Sequence, residues 1–219
     1  MTHTAPPLVA AGAAIERASF AHIDAHAGPR AGYDDGAWSL VRRLIHTSGD
    51  FAFNGLTRLH PQALAAGREA LARGCPVVVD VSMIQAGLTP RRLGPLGVTV
   101  HQFNHDAEVI RLAVAEKTTR TVQAMRMAWR RGVLAGGVVA IGNAPTALLE
   151  VIRLVREEGV RPALIIGVPV GFIAAAESKE ELMTLDAPPW IAVQGTKGGS
   201  TLAVAALHTL MDRALEGKV

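Results

Sequence analysis

Short apolar runs alternate with helical segments from residue 76 to the end of the chain, and this alternation leaves few folds open to it. The run Val77-Val78-Val79 is rich in β-branched residues, which is typical of a strand buried on both faces of a parallel sheet. We predict five such strands, at residues 77–81, 98–103, 137–141, 163–167 and 190–193. Because helical segments separate them, the pattern predicts an α/β fold of three layers, in which helices flank a mostly parallel β-sheet.

The first third of the chain is predicted to be helical and to cap the sheet or to form a partner surface. Asp34 or Asp35 is a suitable N-cap for its second helix, and Gly49 is a suitable end. The threonines before Arg120 indicate a break in the later helical stretch. A turn is predicted at residues 87–97, and the helices are predicted at 11–26, 35–48, 62–73, 108–131, 145–158, 177–185 and 201–215.

Composition and charge narrow the class of protein. A chain of 219 residues with 49% hydrophobic and 19% charged residues has enough apolar surface for one folded domain over 1–219, with a loose start at 1–10. The net charge of +3 comes from scattered basic residues, so no nucleic-acid partner is expected. The single cysteine, Cys75, favours a reducing compartment. With no signal peptide and no apolar run of about 20 residues, we expect a cytoplasmic protein without a membrane partner.

Four predicted loops leave the carboxyl ends of the strands, where ligands bind in this class of fold. They span residues 82–89, 142–146, 167–176 and 194–200. In the second loop, Gly142 and Asn143 turn the chain and Pro145 begins a helix, so backbone N–H groups from Thr146 onward suit an anionic group. The competing interpretation is an ordinary strand-to-helix turn.

Three side chains are candidates for the chemistry of a site. His46 lies at a predicted helix end, where a histidine can exchange protons near neutral pH; alternatively, it only offsets the helix dipole. Lys197, in a glycine-rich loop, and Arg120, at a helix start, suit carboxylate or phosphate groups; alternatively, both are solvated surface charges. The sequence has no phosphate-binding P-loop, no G-x-G-x-x-G after a strand and no G-x-S-x-G, and we expect no metal site.

Four segments resemble the precorrin-8X methylmutase family, including its cobalt-precorrin-8 counterpart. They are Ile45-His-Thr-Ser-Gly49, Ala140-Ile-Gly-Asn-Ala-Pro-Thr-Ala-Leu148, Gly167-Val-Pro-Val-Gly-Phe-Ile-Ala-Ala-Ala-Glu-Ser-Lys179 and Gly198-Gly-Ser200. Their order and spacing fit the family from about residue 12 to the end. Asp80 to Met83 and Arg120 also match. One departure is Gln194-Gly195-Thr196, which stands where the family usually has Arg-Gly-Arg.

The resemblance implies an isomerase of cobalamin biosynthesis that moves a methyl group from ring carbon 11 to ring carbon 12 of a corrin precursor, giving hydrogenobyrinate or cobyrinate. It implies a homodimer and no added cofactor. It implies that His46 protonates the macrocycle, which makes the conjugated ring a better electron acceptor. The substrate carries several carboxylates, and the residues expected to contact it are Ser19, Arg120, Gly142, Asn143, Thr146, Lys197, Gly198 and Ser200.

Two other functions remain open from the sequence. A tetrapyrrole-binding or carrier protein without turnover is favoured by the absence of the two family arginines and disfavoured by His46. An unrelated enzyme that binds a phosphorylated metabolite on the same loops is the other alternative.

Overall fold

A six-stranded sheet forms the centre of the chain in a computed structural model, which describes residues 7–217 and the side chains of 11–217. The strands are β1 (Thr57–Leu59), β2 (Val77–Val79), β3 (Val100–His101), β4 (Val138–Ile141), β5 (Leu164–Gly167) and β6 (Trp190–Val193). They lie in the order β1-β6-β5-β4-β2-β3, and only the β1–β6 pair is antiparallel within the described residues. The predicted α/β fold with a mostly parallel sheet is confirmed.

The five predicted strands are present, and the sheet has a sixth strand that the apolar pattern does not predict. β1 has the sequence Thr-Arg-Leu, which contains no continuous apolar run, and its Arg58 and Leu59 are only half-buried. It becomes a strand by pairing with β6, with Thr57 opposite Val193. Such pairing depends on tertiary structure more than on local preference. Both β2 and β3 are shorter than the predicted 77–81 and 98–103. β3 lies at the sheet edge, where two of its residues pair with β2.

Helices connect the strands and cover both faces of the sheet. They are α1 (Pro7–His26), α2 (Asp35–Ser48), α3 (Phe53–Leu56), α4 (Ala63–Ala72), α5 (Ser82–Gly87), α6 (Pro90–Leu96), α7 (Ala107–Ala115), α8 (Arg120–Arg130), α9 (Pro145–Glu157), α10 (Ala175–Met183) and α11 (Ser200–Glu216). Among the described residues, no helix is both long enough and apolar enough to cross a membrane.

Two helix ends predicted from capping residues are confirmed. The Asp34 side chain accepts a hydrogen bond of 2.7 Å from the Ala37 backbone N–H at the start of α2, and Gly49 ends α2 with a φ of 68°. Glycine is favoured at this position because the backbone there is in the left-handed conformation. The stretch 108–131 is divided as predicted, because Thr119 caps α8 through the Val122 N–H at 3.2 Å.

Two local predictions are wrong. Residues 82–96 contain the short helices α5 and α6, whereas we predict a loop at 82–89 and a turn at 87–97. Pro90 fits the first position of α6, and Gly97 ends that helix with a φ of 68°. α1 begins at Pro7, so the loose start predicted for 1–10 is too long; residues 1–6 lie outside the described part of the chain.

Alternate side chains of the parallel strands point to opposite faces of the sheet and supply two hydrophobic cores. Val77, Val79 and Ala140 belong to the core shared with α2, α4 and α11. Val78 and Val139 belong to the core shared with α8 and α9. The arrangement has three layers, as predicted, and the loops at the carboxyl ends of the strands form one edge of the middle layer.

Candidate functional site

The four loops that leave the carboxyl ends of β2, β4, β5 and β6 meet one another, as predicted. Asp80, directly after β2, accepts hydrogen bonds from the loop after β4. That loop touches the start of α11 at Gly142, where an added Cβ would lie 2.7 Å from the Ser200 Cα. The loops after β5 and β6 are joined by the Gly199 N–H, which donates to the Val168 carbonyl at 2.8 Å.

Asp80 changes the interpretation of the turn after β4. Its carboxylate accepts hydrogen bonds from the backbone N–H groups of Gly142, Asn143 and Ala144, at 3.1, 2.8 and 2.7 Å. These donors are therefore occupied by the protein itself. The N–H groups of Ala147 and Leu148 donate to the Ala144 carbonyl at 3.0 and 3.3 Å, so among the described residues only the Thr146 N–H of this turn remains available to a ligand, which is fewer donors than predicted. Burial raises the pKa of the Asp80 carboxyl, although the three hydrogen bonds oppose that shift.

Arg120 and Thr146 lie at the starts of α8 and α9, and Asn143 lies in the turn before α9. The Thr146 hydroxyl lies 3.2 Å from the Thr119 hydroxyl and 3.1 Å from the Thr121 hydroxyl, so these side chains join the two helix starts. Arg120, the first residue of α8, is exposed and pairs with none of the described carboxylates. Asn143 is exposed beside them. The group presents a guanidinium and hydroxyls to solvent, which suits a carboxylate.

Gly198 and Ser200 lie in close backbone contact with neighbouring loops. A Cβ on Gly198 would lie 2.3 Å from the Val168 carbonyl oxygen, so only a glycine fits there. Ser200 is the first residue of α11 and is 8% exposed. Lys197, just before them, forms an ion pair with Asp50. The sequence therefore places these residues correctly in one loop but does not reveal the ion pair.

His46 and Ser19 share a separate cleft of about 530 Å³. His46 lies in the last turn of α2, half-buried, and its ring meets the Phe20 ring edge-on at 5.1 Å between centroids. The cleft is mostly apolar, and its other lining residues are Ile15, Ala18, His22, Ile23, Ile45, Gly49 and Phe51. An imidazole held by an aromatic ring at the wall of an apolar cleft can exchange a proton with a bound conjugated molecule.

Asp50 connects the cleft to the strand-end loops. It lies four residues after His46, its carboxylate accepts from the Ala52 N–H at 2.9 Å, and it pairs with Lys197. The Lys197 ammonium holds the pKa of the Asp50 carboxyl below its usual value. The predicted site residues thus form two groups: Ser19 and His46 in the cleft, and the remainder at the strand ends. Lys197 joins them.

Sequence reasoning misses several residues of this region. Lys179 is fully buried and donates to the carbonyl oxygens of Pro169 and Lys197, at 3.0 and 2.7 Å. The Ser82 hydroxyl and His105 Nε2 lie 3.2 Å apart beyond β2 and β3. Lys179 lies within one of the family-like segments, which is a usable signal, but the contact between Ser82 and His105 depends on how two loops meet. No cluster of three or more possible metal-binding side chains occurs among the described residues.

Comparison with known proteins assigns the chain to a family. The family described as precorrin-8X methylmutase matches residues 14–213. The chain is 46% identical over 202 residues to the cobalt-precorrin-8 methylmutase of Leptospira interrogans, covering 90% of this chain and 91% of that protein. It is 41% identical over 201 residues to the precorrin-8X methylmutase of Pseudomonas aeruginosa, covering 91% and 94%.

A solved structure agrees with the sequence relatives. The precorrin-8X methylmutase of Thermus thermophilus superposes with a TM-score of 0.85 at 45% identity, covering 94% of this chain and 98% of that one. The chain therefore belongs to the precorrin-8X methylmutase family, whose members are isomerases that catalyse a methyl migration in cobalamin biosynthesis.

Proposed function

We propose that this chain moves a methyl group from ring carbon 11 to ring carbon 12 of precorrin-8X or cobalt-precorrin-8, with His46 as the proton donor. The single observation that carries the proposal is the position of the His46 imidazole on the wall of an apolar cleft, packed against Phe20. A macrocycle edge that enters this cleft meets the imidazole directly. Protonation withdraws electrons from the conjugated ring and lowers the barrier to methyl migration. A positioned proton donor of this kind contributes about 10²–10⁴ in rate.

The strand-end groups are proposed to bind the carboxylate side arms of the same substrate. Arg120 offers a guanidinium at the start of α8, between Thr119 and Thr121, whose hydroxyls contact Thr146. Lys197 offers an ammonium that pairs with Asp50, the residue between the cleft-lining Gly49 and Phe51. Ser19 lies in the cleft with His46. Gly142, Asn143, Gly198 and Ser200 supply the backbone that brings these loops close to the ring. Binding several carboxylates at once fixes the macrocycle relative to His46, which favours the reaction by orientation.

The experiment that tests this mechanism compares wild type with His46→Ala and His46→Gln. Purified proteins are mixed with each of the two precursors, and the absorbance spectrum is followed for conversion to the corrin product. We expect wild type to convert one or both, and His46→Ala to lose about 10²–10⁴ in kcat while still binding. His22→Ala is the matched control, because His22 lines the same cleft and has no proposed proton transfer.

Other outcomes separate the alternatives. Equal turnover by His46→Ala and wild type would refute the proton-donor role. Binding without conversion by both proteins would indicate a tetrapyrrole carrier. Absence of binding, with competition by simple phosphate esters for the strand-end loops, would indicate an enzyme of phosphorylated metabolites. We infer no added cofactor for the methyl shift, because the reaction is an intramolecular rearrangement with no net oxidation; turnover in extensively dialysed protein tests this.

We also propose that the chain is a cytoplasmic homodimer. The loop after β5 carries Phe172 and Ile173, which are 90% and 85% exposed, and apolar side chains this exposed suit burial against a second copy. Sedimentation should give twice the 23.0 kDa chain mass. Phe172→Ser should weaken the dimer. A wild-type protein that stays monomeric at all concentrations would contradict the proposed homodimer.

The single cysteine, Cys75, supports a cytoplasmic location, because the cytoplasm is a reducing compartment; cell fractionation tests this.

A further inference from the structure

Lys179 is a buried cation with no acidic partner among the described residues. It lies on α10, its side chain is fully buried, and its Nζ donates to two backbone carbonyl oxygens, those of Pro169 and Lys197. Burial lowers its pKa to about 8, so its surroundings do not compensate fully for the loss of water. A methionine would fill a similar volume without that cost, which raises the question of what the charge does here.

The two carbonyls belong to two different strand-end loops. Pro169 follows β5 and Lys197 follows β6, and the loops are also joined by two backbone hydrogen bonds. The Gly199 N–H donates to Val168 at 2.8 Å, and the Gly171 N–H donates to Thr196 at 3.1 Å. We call the three groups, Lys179 Nζ and the carbonyls of Pro169 and Lys197, the lysine clasp. It lies beneath the loops, on the side away from solvent.

Both the backbone and the side chain of Lys197 are therefore bound to other residues. Its carbonyl accepts from Lys179, and its ammonium pairs with Asp50, which lies between the cleft-lining Gly49 and Phe51. Gly198 follows directly and has no room for a side chain against Val168. The loop that carries these residues therefore has one backbone position set by the clasp and one side-chain position set by Asp50.

We propose that Lys179 is a positioning residue, whose ammonium holds the loops after β5 and β6 together so that the 194–200 loop is already shaped for the carboxylates of the substrate. The inference rests on the proposed function for the identity of the substrate. The clasp itself does not depend on it. Because a preformed loop loses less conformational freedom when the ligand binds, the clasp acts on substrate affinity and not on the chemical step.

The test compares wild type with Lys179→Met, which keeps an unbranched side chain that is one atom shorter but removes its charge and donors. Ser178→Ala is the matched control, because Ser178 is buried on the same helix and bonds within it, to Ala175. Backbone hydrogen exchange without substrate should become at least about tenfold faster at Gly171 and Gly199 in Lys179→Met, as expected for loss of charge-assisted hydrogen bonds. Ser178→Ala should exchange like wild type.

Steady-state kinetics and the melting temperature distinguish a positioning role from a purely structural one. Lys179→Met should raise KM about tenfold, while kcat stays within about threefold and the melting temperature is unchanged or higher. Lys179→Arg, which keeps the charge and N–H donors, should restore part of the affinity and also serves if the Met variant does not fold.

Three results would overturn the proposal. They are unchanged exchange at Gly171 and Gly199, faster exchange with unchanged KM, or a large fall in melting temperature with activity lost only in proportion to unfolding. If wild type neither binds nor converts either precursor, the proposed function fails. Faster exchange in Lys179→Met would in that case still support the clasp.

Discussion

Asp80 shows how one buried side chain can organise a loop of the site. Its carboxylate is fully buried, accepts from three successive backbone N–H groups, and its own backbone carbonyl accepts from the Asn104 side chain at 2.6 Å. These contacts join the ends of β2 and β4 and the loop after β3. The Asp80 carboxylate accepts the backbone hydrogen bonds of the turn after β4, as a bound anion does at the start of other helices.

Asp80→Asn should destabilise the protein by about 2–4 kcal/mol, because the amide presents an NH₂ group to backbone donors that need an acceptor. Urea unfolding measures this. Asp34→Asn is the control: Asp34 is an exposed N-cap, and asparagine caps equally well, so its effect should stay within about 0.5 kcal/mol. Equal effects of the two substitutions would contradict this role of Asp80.

Lys179 makes the stability depend on pH in a defined direction. Its pKa is about 8 in the folded chain against 10.5 ordinarily, so between these values the unfolded chain holds a proton that the folded chain has lost. The free energy of unfolding therefore rises as pH increases from about 8 to about 10.5. The charged groups nearest along α10 are Glu177, Glu180 and Glu181, and Arg156 of α9 pairs with Glu181.

Urea unfolding of wild type and Lys179→Met at about pH 7.5 and about pH 10 isolates this contribution, because the remaining groups titrate in both proteins. Wild type should gain about 1–2 kcal/mol relative to the variant; one pKa unit is worth about 1.4 kcal/mol and solvent near the loops reduces the full value. An identical pH dependence in both proteins would contradict the burial of the ammonium.

At the scale of elements, the strand-end loops depend on close backbone packing. Gly142 directly follows β4 and faces the first turn of α11, where an added Cβ would lie 2.7 Å from the Ser200 Cα and 3.0 Å from its nitrogen. Both atoms are backbone, so they cannot rotate away. The helix start and the turn therefore approach each other only because this residue has no side chain.

Gly142→Ala should cost about 1–3 kcal/mol, as overpacking usually does, and should raise KM because Asn143, Thr146 and Ser200 all shift with the turn. Gly94→Ala is the matched control, since nothing lies within 4 Å of its added Cβ in α6. That control should be neutral or slightly stabilising. Thermal unfolding and steady-state kinetics measure both variants, and a neutral Gly142→Ala would show that the contact can relax.

For the whole molecule, the Asp50–Lys197 ion pair joins the helical first third to the strand-end loops. The two side chains are 37% and 45% exposed, so the pair contributes little to folding. A double-mutant cycle with Asp50→Asn and Lys197→Met should give a coupling below about 1 kcal/mol, and about 1 M salt should reduce it further. Lys197→Met should raise KM more than Asp50→Asn does, because only the lysine is proposed to bind substrate. A coupling that is large and insensitive to salt would contradict this.

Most elements of this protein, and the residues available for its chemistry, can be predicted from the sequence alone. Apolar β-branched runs such as Val77-Val78-Val79 identify strands because they must be buried on both faces, and Asp34 and Gly49 mark helix ends because capping is local. The family-like segments identify the family for the same reason: their residues are consecutive in the chain.

Which of these residues meet depends on how the elements pack. β1 exists because it pairs with β6, Asp80 occupies donors that follow another strand, and Lys197 joins Asp50 across most of the chain. Lys179 is indistinguishable from a solvated helix lysine until the loops after β5 and β6 enclose it. The division has a physical basis: propensity and capping act between neighbours in sequence, whereas hydrogen bonds and ion pairs between loops depend on how the layers pack.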